Sequence, residues 1–175
     1  RGIPPEVAAA VAKLMSNKDL ILAGAKVRNV SRLRNTLGER GVLAIRLQPN
    51  HPSDELTGIL LSAVEGLSYG CGDALIGVNP AAESAESAAA ILQSLERLIS
   101  FGRIPAQSCC LAHATTQLQA MELGAPVDLL FQSIAGTQGA NESFGVSLSL
   151  LREARERVLE HHLTREVNWI GDDVM

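Results

Sequence analysis

The feature that most limits what this chain can fold into is a repeating beat. Short apolar runs at 42–47 (VLAIRL), 74–78 (ALIGV), 108–112 (SCCLA) and 128–133 (DLLFQS) recur about 20 to 35 residues apart. Each is too short for a buried helix, and each precedes a segment with helical spacing. After the first run, "SDELTGILLSAVEGL" opens with a Ser/Asp cap and carries Leu56, Ile59, Leu60, Val64 and Leu67 on one face. After the second, "ESAESAAAILQSLERLISFG" is acidic at its start and closes on Gly102. "TTQLQAMELG" and "NESFGVSLSLLREARERVLEHH" follow the third and fourth. A strand then a helix, four times over with near-continuous apolar strands, predicts parallel strands covered by helices. "VNWIGDDVM" reads as the start of a fifth strand.

Ahead of this repeat, "PPEVAAAVAKLMSN" has Pro at a helix start and Val7, Val11 and Leu14 at helical spacing. Residues 18–40 are basic and irregular and predict no element. The division expected is a helical lead-in over 1–40 and a β/α unit over 41–175. An open doubly wound sheet would place a Gly-x-Gly-x-x-Gly turn after its first strand, where this chain has Gln48-Pro49-Asn50. The better expectation is a parallel (β/α)8 barrel of the TIM type. A whole one needs roughly 250 residues, so four to five units make up about its first half. Arg1 at the start and "DDVM" at the end are accordingly read as cut ends.

Composition narrows the function. The chain has 175 residues, 46% hydrophobic but only 3% aromatic, so its core must be aliphatic. Its net charge of −4 is spread without a basic block or an aromatic platform, which argues against nucleic acid. No run approaches the ~20 apolar residues of a membrane span. Three cysteines, Cys71, Cys109 and Cys110, fit a reducing cytosol better than a disulfide framework.

In parallel α/β folds the binding face is built from the carboxyl ends of the strands. Here those ends deliver Arg46 and Gln48, then Asn79-Pro80, then His113 with Thr115 and Thr116, then Gln132 and Ser133. Arg46 and Gln48 are two apart and face the same side of a strand. Each has a plain reading as well: a solvated or salt-bridged arginine, an Asn-Pro turn, a hydrogen-bonded histidine, cysteines that fill a core. Convergence of four strand ends on one face is what local turn chemistry does not require. Other motifs fail on context. "GLSYG" matches Gly-x-Ser-x-Gly but is preceded by a helix rather than a strand, and "GCGDALIG" precedes its strand. The four histidines lack metal-ligand spacing, so no metal is expected.

The strings "RLQPN", "EGLSYGCGDALIGVNP", "LAHATTQ" and "FQSIAGTQGANESFGV", in this order and spacing, resemble the large, catalytic subunit of ethanolamine ammonia-lyase. The resemblance spans about residues 2–171. It implies a (β/α)8 barrel with a helical N-terminal part and an adenosylcobalamin cofactor. It further implies that Arg46, Gln48 and Asn79 bind the substrate, ethanolamine, through its hydroxyl and amino groups. Pro80, Gln132 and Ser133 would lie against the cofactor, with Ser133 and Phe144 near the adenosyl group or the pocket wall. The reaction implied is radical deamination to acetaldehyde and ammonia, begun by homolysis of the cofactor's Co–C bond. Implied partners are the enzyme's small subunit and further large subunits, in a cytoplasmic setting or a bacterial microcompartment.

One departure matters. The family's carboxylate for the amino group lies in a "YFETGQGS" segment after the fifth strand, which these residues do not reach, so the 175-residue piece alone is expected to be inactive and to self-associate through open strand edges. Two rivals stay open, a non-catalytic barrel fragment and a barrel enzyme of aldolase type. The latter calls for a strand-end Lys, and none appears.

Overall fold

The computed structural model describes residues 3–135 and 137–164. Two helices lead, α1 (Pro5–Leu14) and α2 (Asn17–Gly24), followed by a two-stranded antiparallel hairpin, β1 (Ser31–Arg32) and β2 (Thr36–Leu37). Then strands and helices alternate: β3 (Arg46–Leu47), α3 (Leu56–Ser68), β4 (Leu75–Val78), α4 (Ala85–Gly102), β5 (Ser108–Cys110), α5 (Ala114–Glu122) and β6 (Leu129–Leu130). Helices α6 (Gln138–Ser143) and α7 (Leu148–Thr164) close the described chain. The expected fifth strand falls outside the described residues.

Strands β3 to β6 form one parallel sheet in the order β3-β4-β5-β6, so every strand lies beside its sequence neighbours. A doubly wound sheet reverses its order at a switch point, and this one does not. The two faces differ. Ile76, Val78, Cys110 and Leu130 point toward helices and pack with Ile59 of α3, Ile91, Leu92, Leu95 and Ile99 of α4, Leu118 of α5 and Val158 of α7. Full burial of each Ile, Leu or Val contributes about 1.5–3 kcal/mol, so this layer supplies most of the adhesion. The opposite face presents Leu75, Cys109 and Leu129 to Leu33 from the hairpin turn.

That hairpin lies in the stretch whose sequence showed no element, and distant polar contacts fix it. Arg34 Nη2 donates to Glu96 Oε2 and Asp128 Oδ1, each at 3.0 Å. Asp128 Oδ2 accepts in turn from the Ser108 N–H at 2.9 Å and its hydroxyl at 3.3 Å. Asn35 Oδ1 accepts from Gln107 Nε2 at 2.7 Å. The turn is thereby pinned beneath the amino-terminal ends of β5 and β6.

Several local details depart from the sequence expectations. The strands are shorter than the apolar runs. Helix α2 begins with a reciprocal Ser16–Asp19 capping box. Ile59 of α3 is buried as expected, but Val64 is 50% exposed and Ala63 faces the core in its place. α4 ends at Gly102 as expected, but the left-handed cap that follows is Arg103, φ 47°, not a glycine. The last helical segment divides into α6 and α7 around Gly145, whose φ of 76° suits glycine. Among the described residues, no helix is long and apolar enough to cross a membrane.

The cysteines offer a chemical check on the layering. Burial pushes the thiols of Cys109 and Cys110 up to about 12, whereas Cys71 is partly exposed. Iodoacetamide at pH 8 is therefore expected to alkylate Cys71 and to spare Cys109 and Cys110 until the protein unfolds. Peptide mass spectrometry reads this out, and rapid labelling of Cys109 in folded protein would contradict the buried sheet.

Candidate active site

Because the four strands are parallel, all their carboxyl ends emerge on one edge. The pairings Arg46↔Leu75 and Gly77↔Cys109 put Arg46, Gly77 and Cys109 on the face away from the helices. By the same alternation Gln48, Asn79 and Phe131 belong to it. Arg46 lies flat across this face with its guanidinium carbon 5.2 Å from the centre of the Phe131 ring, a cation–π contact. It can do so because position 77 is glycine. A β-carbon there would sit 3.0 Å from Arg46 Nε and 2.8 Å from Cys109 Sγ.

The guanidinium is unusual in what it lacks. Arg46 Nε and Nη2 are buried and find no hydrogen-bond partner among the described residues. Buried charged donors left unmatched are costly, so such a pair marks a place shaped for an acceptor. Next to it, Gln48 Nε2 donates to Asn79 Oδ1 at 3.1 Å. That bond leaves Gln48 Oε1 and a lone pair of Asn79 Oδ1 to accept from a donor group. Fixed donors beside free amide acceptors can hold a small molecule with an oxygen at one end and an ammonium at the other.

The remaining strand ends form a linked rim. Asn50 Oδ1 accepts from the Asn79 N–H at 2.8 Å. Asp54 accepts from the Ala81 N–H at 2.7 Å, the Ala82 N–H at 2.8 Å and the Ser87 hydroxyl at 3.3 Å. Glu83 Oε1 accepts from the His113 N–H at 2.6 Å, and Gln132 Oε1 from the Ala114 N–H at 2.8 Å. Each loop thus grips a neighbour by its backbone. Burial pushes the Asp54 carboxyl up, but the bonds from Ala81, Ala82 and Ser87 and the nearby His51 outweigh it and hold the group below its ordinary value. Its grip on the rim is present above that ordinary value, about pH 4, and fades as pH falls through the lowered one.

Not every residue singled out in the sequence joins the cluster. Arg46, Gln48 and Asn79 come together. Pro80 follows Asn79, partly buried. Gln132 Nε2 turns back to the Ser133 carbonyl at 3.1 Å, while the Ser133 side chain is exposed. Phe144 ends α6 and is 61% exposed. His113 caps α5, its Nδ1 accepting from the Thr115 N–H at 3.3 Å. Ser68 ends a helix with its hydroxyl donating to the Glu65 carbonyl at 2.6 Å, no setting for a nucleophile. Phe131, Gly77, Asn50 and Asp54 were missed. Strand alternation alone would have found Phe131, two residues after Leu129 on the same face. A separate groove of about 320 Å³, lined by Leu67, Cys71, Asp73 and Ile104 among others, lies at the sheet's other end; Asp73 is used there to accept from the Ile45 N–H at 2.7 Å.

The strand-end constellation can be set beside known proteins. A family model described as "Ethanolamine ammonia lyase large subunit (EutB)" matches residues 1–175. The chain belongs to the ethanolamine ammonia-lyase large-subunit family. Two curated relatives, both named "Ethanolamine ammonia-lyase large subunit", come from Salmonella typhimurium strain LT2 and Escherichia coli strain K12. Each is 44% identical over 155 residues, which cover 89% of this chain and 34% of the relative. The chain therefore spans about a third of the length of the ethanolamine ammonia-lyase large subunits it matches.

Proposed function

We propose that this chain supplies the hydroxyl- and amine-binding strand ends of an ethanolamine ammonia-lyase large subunit, in the first half of a (β/α)8 barrel. The observation that carries this reading is Arg46, with two buried and unmatched donors beside the Gln48–Asn79 amide pair. Barrel closure is favoured by the sequential strand order and by helices on one face only. The helix-free face would then be the lumen, with the Leu33 turn as its floor.

In this reading the ethanolamine oxygen accepts from Arg46 Nε and Nη2. A fixed guanidinium in a water-poor site stabilises negative charge as it grows on that oxygen. The ammonium donates to Gln48 Oε1 and Asn79 Oδ1, which fix the direction in which nitrogen can move. Phe131 backs Arg46 and keeps water from it. The carboxylates nearest this rim are already engaged: Asp54 and Glu83 hold loops, and Glu55 caps α3 by accepting from the Thr57 and Gly58 N–H groups. The counter-charge for the ammonium must come from outside these residues, which agrees with the acidic segment that the family carries further along.

The cofactor implied by the family is adenosylcobalamin. The chain after β6 offers exposed apolar side chains, Ile134 and Phe144, and the exposed Ser133 hydroxyl, which supports this reading. Pro80, Gln132 and Ser133 would hold the cofactor, and when bound it would supply the radical that takes hydrogen from the hydroxyl-bearing carbon. This chain's own residues bind and orient. A small subunit, further large subunits and a cytoplasmic or microcompartment location belong to the same proposal. The native enzyme, given adenosylcobalamin and ethanolamine, should release acetaldehyde and ammonia; folded enzyme that releases neither would overturn the reading.

A further inference from the structure

We infer that Asp54, together with Asn50, is a positioning residue for substrate, acting through Asn79 by holding the loop that carries it. The inference rests on Asn79 touching the substrate's amino group, as proposed above. It starts from a departure in the backbone. Asp54 has φ 53°, in the left-handed region that few non-glycine residues enter and that needs surrounding contacts to persist. The sequence placed Asp54 at the cap of α3, yet the cap is Glu55. Asp54 is turned out of the helix toward the next loop.

What it grips there is specific. From 79 to 82 the chain has three backbone N–H groups, since Pro80 has none. Asn50 takes the one on Asn79, and the two carboxylate oxygens of Asp54 take those on Ala81 and Ala82. The loop after β3 thus satisfies all three backbone donors of residues 79–82. Asp54 Oδ2 also accepts from Ser87 in the first turn of α4, so the loop is tied to a packed helix. Among the described residues the Asn79 side chain is held by Gln48, and it owes the rest of its placement to this backbone clamp. A misplacement of about 1 Å in a reacting complex can cost ~10²-fold. An acid that binds no substrate therefore positions an amide that does.

The test is a double-mutant cycle in the native holoenzyme, with steady-state ethanolamine kinetics on Asp54→Ala, Asn79→Ala and the pair. Asp54→Ala is expected to lower kcat/KM by about 10–100-fold with cofactor binding retained. In the Asn79→Ala background the same change should cost less than about twofold. Asp54→Asn, which keeps one acceptor and tolerates the left-handed backbone, should recover part of the loss; should the alanine variant fail to fold, the cycle is run with this one. Equal cost of the Asp54 change in both backgrounds would overturn the positioning role. An Asn79→Ala variant with unaltered kinetics would instead overturn the reading of Asn79 as a substrate group, and this inference with it.

Discussion

Arg46→Ala in the native enzyme is expected to lower kcat/KM for ethanolamine by about 10²–10³-fold, the cost of losing one preorganised donor to developing oxyanion charge, with little loss of stability. The two effects separate because of how Arg46 is built in. Its Nε and Nη2 have no protein acceptor among the described residues, so truncation orphans no carbonyl or carboxylate at those atoms. What is lost is the Phe131 contact at 5.2 Å, worth about 2 kcal/mol for a desolvated cation. Against that stands relief of a buried, unmatched charge. The melting temperature should hold or rise while activity collapses, the trade expected where a site is kept strained for use. Arg46→Lys keeps the charge but cannot present two donors in a plane, and should fall between. Kinetics and thermal melts on the same preparations check this, and stability lost in step with activity would make Arg46 a packing residue.

The second large effect concerns the floor of the sheet. Asp128→Ala is expected to destabilise the protein by about 3 kcal/mol, the low end for removing one partner of a buried ion pair. Asp128 is 1% exposed and accepts from Arg34 Nη2 and from the Ser108 N–H and hydroxyl. Glu96 still reaches Arg34 at 3.0 Å, which keeps the loss from the upper end of that range. Arg34→Ala combined with Asp128→Ala should cost less than the sum of the two. Urea unfolding measures all three, and an Asp128→Ala change below about 1 kcal/mol, the ceiling for most exposed pairs, would mean that the hairpin is not anchored as described.

The comparison of sequence with structure divides along a physical line. Strand-then-helix alternation was legible because apolar period and end punctuation are local. The polar strand ends were legible because parallel strands place all carboxyl ends together. The hairpin at 31–37 was not, since its one buried side chain, Leu33, and its anchor, Arg34 to Asp128, draw on partners 94 residues away in sequence for the latter. Nor was the cap of α3: adjacent Asp54 and Glu55 offer equal chemistry, and the neighbouring loop's demand for acceptors decides between them. The resemblance assigned roles to Arg46, Gln48 and Asn79. It gave no hint that Gly77 clears the path for the guanidinium or that Phe131 lies against it, because both depend on register between strands. Gln132 shows the reverse, a rim residue whose amide is largely occupied within the chain.

The central claim is that these strand ends hold ethanolamine. Calorimetric titration of ethanolamine into the native enzyme, beside the Arg46→Ala enzyme, tests it most directly. The account predicts a single-site heat in the first that is weakened by at least about tenfold in affinity in the second, as expected when a charged hydrogen bond worth about 1.5–3 kcal/mol is removed. Equal affinity in the two folded proteins would contradict it.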